Sequence, residues 1–259
     1  MKAAVLHGQE DVRIEETDAP VLHTGEVRIR IGTALTCGTD LKVYRRGYHA
    51  RMITPPALFG HEFAGTITEM AEDVADREIG DRVVAANSAP CEECRYCKNH
   101  QPNLCDDLLF LNGAYAESIV VPARIVEKNL LPLSPDTAFA DAALTEPLAC
   151  VVQGADDCEL QAGQRILIIG SGPIGLMFAA LAQDIGCEVH LAGRGEARLQ
   201  TAAQLGAMTH EVKGEDVVAA VNANDLFDVV IEAVGKPACW EAAVEMVRKG
   251  GTVNFFGGC

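Results

Sequence analysis

Residues 165–175 read RILIIGSGPIG, so four consecutive apolar residues run straight into Gly170-Ser171-Gly172-Pro173-Ile174-Gly175. No other segment constrains the fold as tightly. A G-x-G-x-x-G match alone is weak, but here it closes an apolar strand and opens a helix, the setting in which it reads as a dinucleotide-binding turn. Gly170 permits the tight turn and Gly172 lets a pyrophosphate approach the backbone. Gly175 lets the helix pack closely on the strand, with the phosphates at the helix N-terminus, and Pro173 and Ile174 complete the turn. The pattern then alternates: helix 175–186, strand 188–193, helix 197–206, a short strand near 209–212, strand 228–235, helix 238–250 and strand 252–258. Alternating apolar strands and amphipathic helices predict an α/β fold, a doubly wound parallel sheet covered on both faces. The chain ends at Cys259, just after a fifth strand, where such a sheet normally has six. An incomplete sheet is therefore expected.

Residues 1 to about 150 have a different texture. VRIRI (27–31), FAGTITEM (63–70) and DRVVAAN (81–87) predict strands of an irregular, mostly antiparallel domain. The expected division is a domain at 1–150, with a cysteine-rich lobe at about 88–110, and a dinucleotide-binding domain at 151–259. A net charge of −16 lacks the footprint that drives phosphate-backbone binding, so nucleic acid is not an expected partner. Residues 166–182 carry no charge, but Gly170, Gly172, Pro173 and Gly175 break them into strand, turn and helix, and no membrane span is expected. The N-terminus, MKAAVLHGQEDVRIEE, has neither the apolar core nor the cleavage site of a secretory leader. A cytoplasmic location follows, in which the ten cysteines are reduced and serve as metal ligands, catalytic groups or small core residues.

Cys91, Cys94, Cys97 and Cys105 are spaced C-x2-C-x2-C-x7-C. Four thiolates this close can surround one zinc ion, and a site with no open position is structural. Metal would fix a lobe with little apolar content of its own. An iron–sulfur rival uses a last gap of three residues followed by proline, whereas here Asp106 follows a gap of seven. The plainest alternative is four neighbouring cysteines without metal, and His100 could replace one thiolate. A second constellation joins Cys37-Gly38-Thr39-Asp40 to Gly60-His61-Glu62. Each half is weak alone, since a lone cysteine is usually a small buried hydrophobe.

Taken in order, CGTDLK (37–42), GHEFAG (60–65), GDRV (80–83), the four-cysteine loop, GAYAE (113–117), EPLAC (146–150) and GSGPIG (170–175) resemble the zinc-dependent medium-chain alcohol and polyol dehydrogenases, with sorbitol, L-iditol and threonine dehydrogenases among them. The resemblance covers essentially the whole chain. It implies a GroES-like, irregular β-barrel catalytic domain followed by a Rossmann domain, with one catalytic and one structural zinc. Cys37, His61 and Glu146 correspond to catalytic zinc ligands, and Glu62 to the carboxylate beside the metal. Cys150, one helical turn on, is the rival to Glu146. Thr39 corresponds to a proton-relay hydroxyl, while Lys42 stands where some members have a relay histidine. Asp40 is read either as support for the metal site or as a helix cap. In this family the chain continues past the fifth strand, so a truncated form is expected, and the full-length form is expected to be a homo-oligomer.

The implied activity is hydride transfer between NAD(P) and a secondary alcohol or polyol, or its ketone. Two rivals remain: an inactive zinc- and cofactor-binding fragment, and a zinc-free quinone reductase of the same fold. NAD-specific folds place an acid at the end of the second strand to hold the ribose hydroxyls. Here that position is Gly193, followed by Arg194, and a guanidinium there predicts a preference for NADP over NAD. Arg198 is read first as a solvated helix residue. Lys42, Arg45, Arg46, His49 and Arg51 crowd one stretch of an acidic chain. They could attract an anionic substrate such as a phosphorylated or carboxylated polyol. The sequence favours a plainer reading, a solvated loop or subunit contact.

Overall fold

The computed structural model describes residues 1–214, 216–221 and 226–258. They divide into two compact units, Met1–Glu146 and Pro147–Cys259. The terminal Cys259 lies outside the described residues.

The first unit is built on antiparallel strands. Five of them lie in the order Leu130–Pro132, Arg82–Ala85, Glu62–Met70, Val27–Leu35 and Ser118–Val121. Val27, Ile29, Phe63, Ile67, Ile119 and Val121 alternate inward and form the core with Ile125 and Leu130. A three-stranded sheet, Asp11–Glu16, Lys2–Gly8 and Ala57–Leu58, adds a smaller layer. The short pair Ser88–Ala89 and Leu109–Phe110 brackets the cysteine-rich lobe. Register matters most at one end of the main sheet. Leu35 pairs with Glu62, so the residues just beyond the pairing, Cys37 on one strand and His61 on the other, leave the sheet at the same end.

The second unit is a parallel sheet ordered Met208–Glu211, Glu188–Gly193, Arg165–Ile169, Phe227–Glu232 and Val247–Phe255. In chain order this is 3-2-1-4-5, the doubly wound arrangement. Ile166, Ile168, Val189, Leu191, Val229 and Ile231 pack under helices Thr145–Asp157, Pro173–Ile185 and Glu196–Gln204. Leu167, Ile169, Ala192 and Val230 face the opposite way, against helices Val217–Val221 and Pro237–Met246. Burial on both faces is why these strands read as unbroken apolar runs rather than as alternation. Phe178 is fully buried, edge-on to Phe256 at 5.0 Å, and burial of such a ring contributes about 2–3 kcal/mol. Helix Pro173–Ile185 starts at Gly172 with proline in its first turn and stops at Gly186, whose φ of 94° only glycine adopts readily.

The expected parallel sheet with helices on both faces is present, with two local differences. The helix predicted to run to 250 stops at Met246, and Val247 already pairs with Phe227. The chain then bulges, with Gly250 at φ 73°, before Thr252 pairs with Val229. The short helix Val217–Val221, too brief to show a period, was not expected. No helix among the described residues is long and apolar enough to cross a membrane.

Candidate metal centres and dinucleotide cleft

The strand Val27–Leu35 delivers Cys37 to the N-cap of helix Gly38–Arg46. The Cys37 sulfur accepts from the Thr39 amide at 3.4 Å, and the Cys37 amide donates to Asp40 Oδ2 at 2.9 Å. Asp40 therefore makes contacts that answer to both of the readings the sequence offered. It closes the helix start, and its Oδ1 lies 3.1 Å from His61 Nδ1. Tyr115 completes the arrangement from 75 residues away, its hydroxyl 2.6 Å from Asp40 Oδ2 and 2.8 Å from the Leu35 carbonyl. With Nδ1 held by Asp40, His61 has Nε2 left for a ligand. Asp40, His61 and Glu62 are all buried.

The sulfur of Cys37, a ring nitrogen of His61 and a carboxylate oxygen of Glu62 lie within 4.8 Å of one another. Burial works against the His61 imidazolium, but the hydrogen bonds to Asp40 and Cys37 overcome it and push its pKa up to about 10. Burial also raises the carboxyl of Glu62, against the pull of His61. Glu146, in the first turn of helix Thr145–Asp157, is pushed up to about 7 by burial, and the charges acting on it are those of His61, Glu62 and Asp40. It faces the group electrostatically but is not among the three atoms that lie together. Cys150 is exposed, and Thr39 sits in the first turn of its helix. A thiol, an imidazole held by Asp40 and facing that thiol, and buried carboxyls make a donor set that a divalent cation satisfies, and these residues fit zinc.

The second cluster is closed. Cys91, Cys94, Cys97 and Cys105 bring their sulfurs within 4.8 Å of one another. Individual pairs stand at 3.4 Å (Cys91–Cys105), 3.6 Å (Cys94–Cys97) and 3.9 Å (Cys94–Cys105). Four sulfurs around zinc at its usual bond length would be about 3.8 Å apart, so the lobe already has the size of a tetrahedral site. Backbone amides of Cys97 and Asp106 direct hydrogen bonds at Cys94 and hold its pKa down to about 6, near the thiolate form that metal requires. His100 is exposed, at φ 59°, and is not one of the four ligand positions.

In the second unit a cavity of about 360 Å³ opens at the C-terminal ends of the parallel strands. Of the sequence-predicted residues, Gly170, Gly172, Gly193 and Arg194 line it. Pro173, Ile174 and Gly175 do not, for a structural reason. Pro173 is the first residue of the helix, Ile174 packs toward the core, and a side chain on Gly175 would run into the carbonyl oxygen of Gly170. Gly172 differs, since a side chain there would meet nothing of the protein, so only an approaching ligand asks for its smallness. Gly193 is fixed by packing, because a Cβ would come within 2.8 Å of the Ser171 backbone nitrogen. The Ser171 hydroxyl ties the turn to the end of the second strand, donating to Arg194 O at 2.7 Å and accepting from Arg194 N at 3.0 Å. Arg198 and Lys236 also line the cavity, with Val212, Val217 and Val234 as an apolar wall. Sequence reasoning did not single out Lys236 or this wall: Val212, Val234 and Lys236 come from loops without a motif, and Val217 opens a helix too short to show a period.

The chain resembles known proteins over nearly its whole length. The family described as alcohol dehydrogenase GroES-like domain matches residues 23–132, and the zinc-binding dehydrogenase family matches 173–259. Sorbitol dehydrogenase of Bacillus subtilis (strain 168) is 33% identical over 99% of this chain and 75% of its own length. The solved alcohol dehydrogenase TADH from Thermus sp. ATN1 is 33% identical with a TM-score of 0.83, covering 98% of this chain and 76% of that one. A zinc-binding dehydrogenase from Sinorhizobium meliloti 1021, solved bound to NADP, is 28% identical with a TM-score of 0.89, covering 99% and 76%. The chain thus spans about three quarters of the length of these relatives.

Proposed function

Because this chain belongs to the zinc-containing medium-chain alcohol and polyol dehydrogenase family, we propose that it transfers a hydride between NAD(P) and a secondary alcohol or polyol, or the corresponding ketone. The observation that carries this reading is the convergence of Cys37, His61 and Glu62, with Glu146 facing them, in a chain that also holds a glycine-turn dinucleotide cleft. Cys37, His61 and Glu146 would hold the catalytic zinc, with Glu62 beside it as an exchangeable ligand. Zinc there supplies a Lewis acid that acidifies a substrate hydroxyl or polarises a ketone oxygen.

The chain's own residues do the rest. Asp40 fixes the His61 ring through Nδ1, and Tyr115 fixes Asp40, so the imidazole is aimed before any ligand arrives. Thr39 Oγ1, two residues after Cys37, is placed in sequence to take the hydroxyl proton and pass it outward. The four-cysteine lobe is structural, because its donor set leaves no position for substrate. In the second unit the N-terminus of helix Pro173–Ile185 would hold a dinucleotide's diphosphate, and the open space at Gly172 would let it approach the backbone.

For the cofactor, the cavity supports NADP over NAD. Arg194, Arg198 and Lys236 line it, and no carboxylate does among the described residues. The absence of an acid at 193 has a steric cause as well as an electrostatic consequence, since Ser171 leaves no space for a side chain. A screen of secondary alcohols and polyols with both cofactors, combined with zinc analysis, tests the reading. Two zinc ions per chain and chelator-sensitive NAD(P) reduction are expected. Turnover indifferent to loss of the metal, or one zinc and no turnover with any alcohol, would overturn it.

A further inference from the structure

We propose that His49 and Arg46 form an anion-recognition subsite beside the Cys37–His61–Glu62 group, reading a phosphate or carboxylate carried by the substrate. The inference rests on the dehydrogenase reading and narrows its substrate class.

The loop that follows helix Gly38–Arg46 is not a free solvated turn. His49 and Ile53 exchange backbone hydrogen bonds at 3.0 and 3.4 Å and close the loop on itself. Inside it, His49 Nδ1 accepts the amides of Arg51 at 3.2 Å and Met52 at 3.1 Å. An Nδ1 that accepts from backbone amides keeps its lone pair, so the ring hydrogen of a neutral His49 is on Nε2. The loop's own backbone thus orients the imidazole and leaves one donor, pointing away from the amides that hold it.

The charges around this ring have one sign. Burial and the neighbouring Arg46, Arg51 and His61 hold the His49 pKa below its ordinary value, and no carboxylate is among the groups that act on it. Ile53, which pairs with His49, packs in one cluster with Tyr115, whose hydroxyl holds Asp40, so the loop lies against the support of the metal-binding group. Arg51 is already engaged, donating from Nη2 to the Cys105 carbonyl at 3.0 Å with its guanidinium 5.8 Å from the Phe110 ring centroid. Arg46 lies at the end of its helix, exposed, with no hydrogen bond or ion pair among the described residues. In a chain of net charge −16, a pinned donor among cations and an uncommitted guanidinium answer an oxyanion better than they answer a neutral hydroxyl. A phosphomonoester or a carboxylate on a polyhydroxy chain supplies that group. The sequence favoured a solvated loop here, and the anchored ring on a loop packed against Tyr115 changes that preference.

Inorganic phosphate is the direct probe. It is titrated into the zinc-loaded protein while the His49 imidazole resonances are followed by NMR. A saturable shift is expected, with affinity about tenfold weaker in Arg46→Ala, as befits loss of a charge-assisted contact. Absence of saturation, or an affinity in Arg46→Ala equal to that of the unaltered protein, overturns the subsite. In parallel, kcat/KM is compared for a polyol, its phosphate ester and its carboxylic acid. The ester or the acid should exceed the parent by about tenfold, and the ratio should collapse in both variants. Ratios near one in the unaltered protein would refute the proposal. If no compound turns over, the dehydrogenase reading fails, while the phosphate titration still decides the subsite. Arg46 is exposed, so its variant stays informative if His49→Gln disturbs the loop.

Discussion

Replacing Arg194 by alanine should move the cofactor preference toward NAD, and the structure sets the size of the effect. The guanidinium lines the cleft beside Gly193 and donates to the carbonyl of Gly214. To engage a 2′-phosphate it must give up or share that neutral bond, worth about 1 kcal/mol, for charge-assisted bonds worth about 1.5–3 kcal/mol. Arg194 is exposed, which screens the pair toward the lower end of that range. The difference is about 0.5–1 kcal/mol, so the ratio of kcat/KM for NADP to that for NAD should fall roughly 2- to 5-fold. Arg198 and Lys236 remain in the cavity and keep the loss from being complete. Initial-rate kinetics with both cofactors at fixed ionic strength measure the ratio directly. NADP affinity that is unchanged in Arg194→Ala, or an unaltered protein that favours NAD tenfold, would refute the reasoning. Higher salt should shrink the preference in the unaltered protein and hardly affect the variant.

The two metal sites should be separable: His61→Ala should lose one zinc per chain and keep the fold, whereas Cys105→Ala should lose the other and lower Tm, as read by elemental analysis and thermal unfolding. Tyr115→Phe removes the hydroxyl 2.6 Å from Asp40 Oδ2, so denaturant unfolding should show a loss of about 1–3 kcal/mol. Gly175→Ala drives a methyl into the Gly170 carbonyl and should cost about 2 kcal/mol or more in denaturant unfolding, with weaker dinucleotide binding by calorimetry. Asp228 accepts from the Arg165 amide at 2.8 Å and from Arg248 Nε at 2.7 Å, and these contacts hold its carboxyl below the ordinary value. Its stabilisation is therefore present above the unfolded carboxylate pKa and lost as pH falls through the lower folded one. Asp228→Asn should flatten the acid limb of the stability curve below about pH 4.

What the sequence disclosed was what short-range chemistry encodes. Ile166 to Ile169 could be placed in a parallel sheet because burial on both faces demands a run with no polar residue. The four cysteines could be assigned to one ion because they lie within 15 residues, so the ligand spacing is itself the signal. The strands Lys2–Gly8 and Asp11–Glu16 were not read: the buried run Ala3–Leu6 is only four residues long and shows no alternation, and Asp11–Glu16 is largely exposed and charged. Val247–Phe255 was misread at its start because Arg248 and Lys249 continue the charge pattern of the preceding helix, while the bulge at Gly250 depends on pairing with Phe227 and Val229.

The candidate site marks the same boundary at higher resolution. Cys37 and His61 are 24 positions apart, and only the register that sets Leu35 opposite Glu62 makes them neighbours. A motif can name both residues but says nothing of that register. Tyr115 is one step further out, 75 residues from the Asp40 it fixes: GAYAE is among the segments that carry the family resemblance, but nothing in it says which group the Tyr115 hydroxyl meets. Ligand types are chosen by the metal and so recur as recognisable residues. The groups that aim them are chosen by the fold, and many polar side chains could do the work. Asp40 is legible because it also caps a helix, while Tyr115 has no second duty that a sequence could report. A double-mutant cycle on Asp40→Asn and Tyr115→Phe tests this division. If the hydroxyl acts only through Asp40, the two losses in zinc affinity should couple rather than add. Strict additivity would mean that Tyr115 supports the site through the Leu35 carbonyl instead.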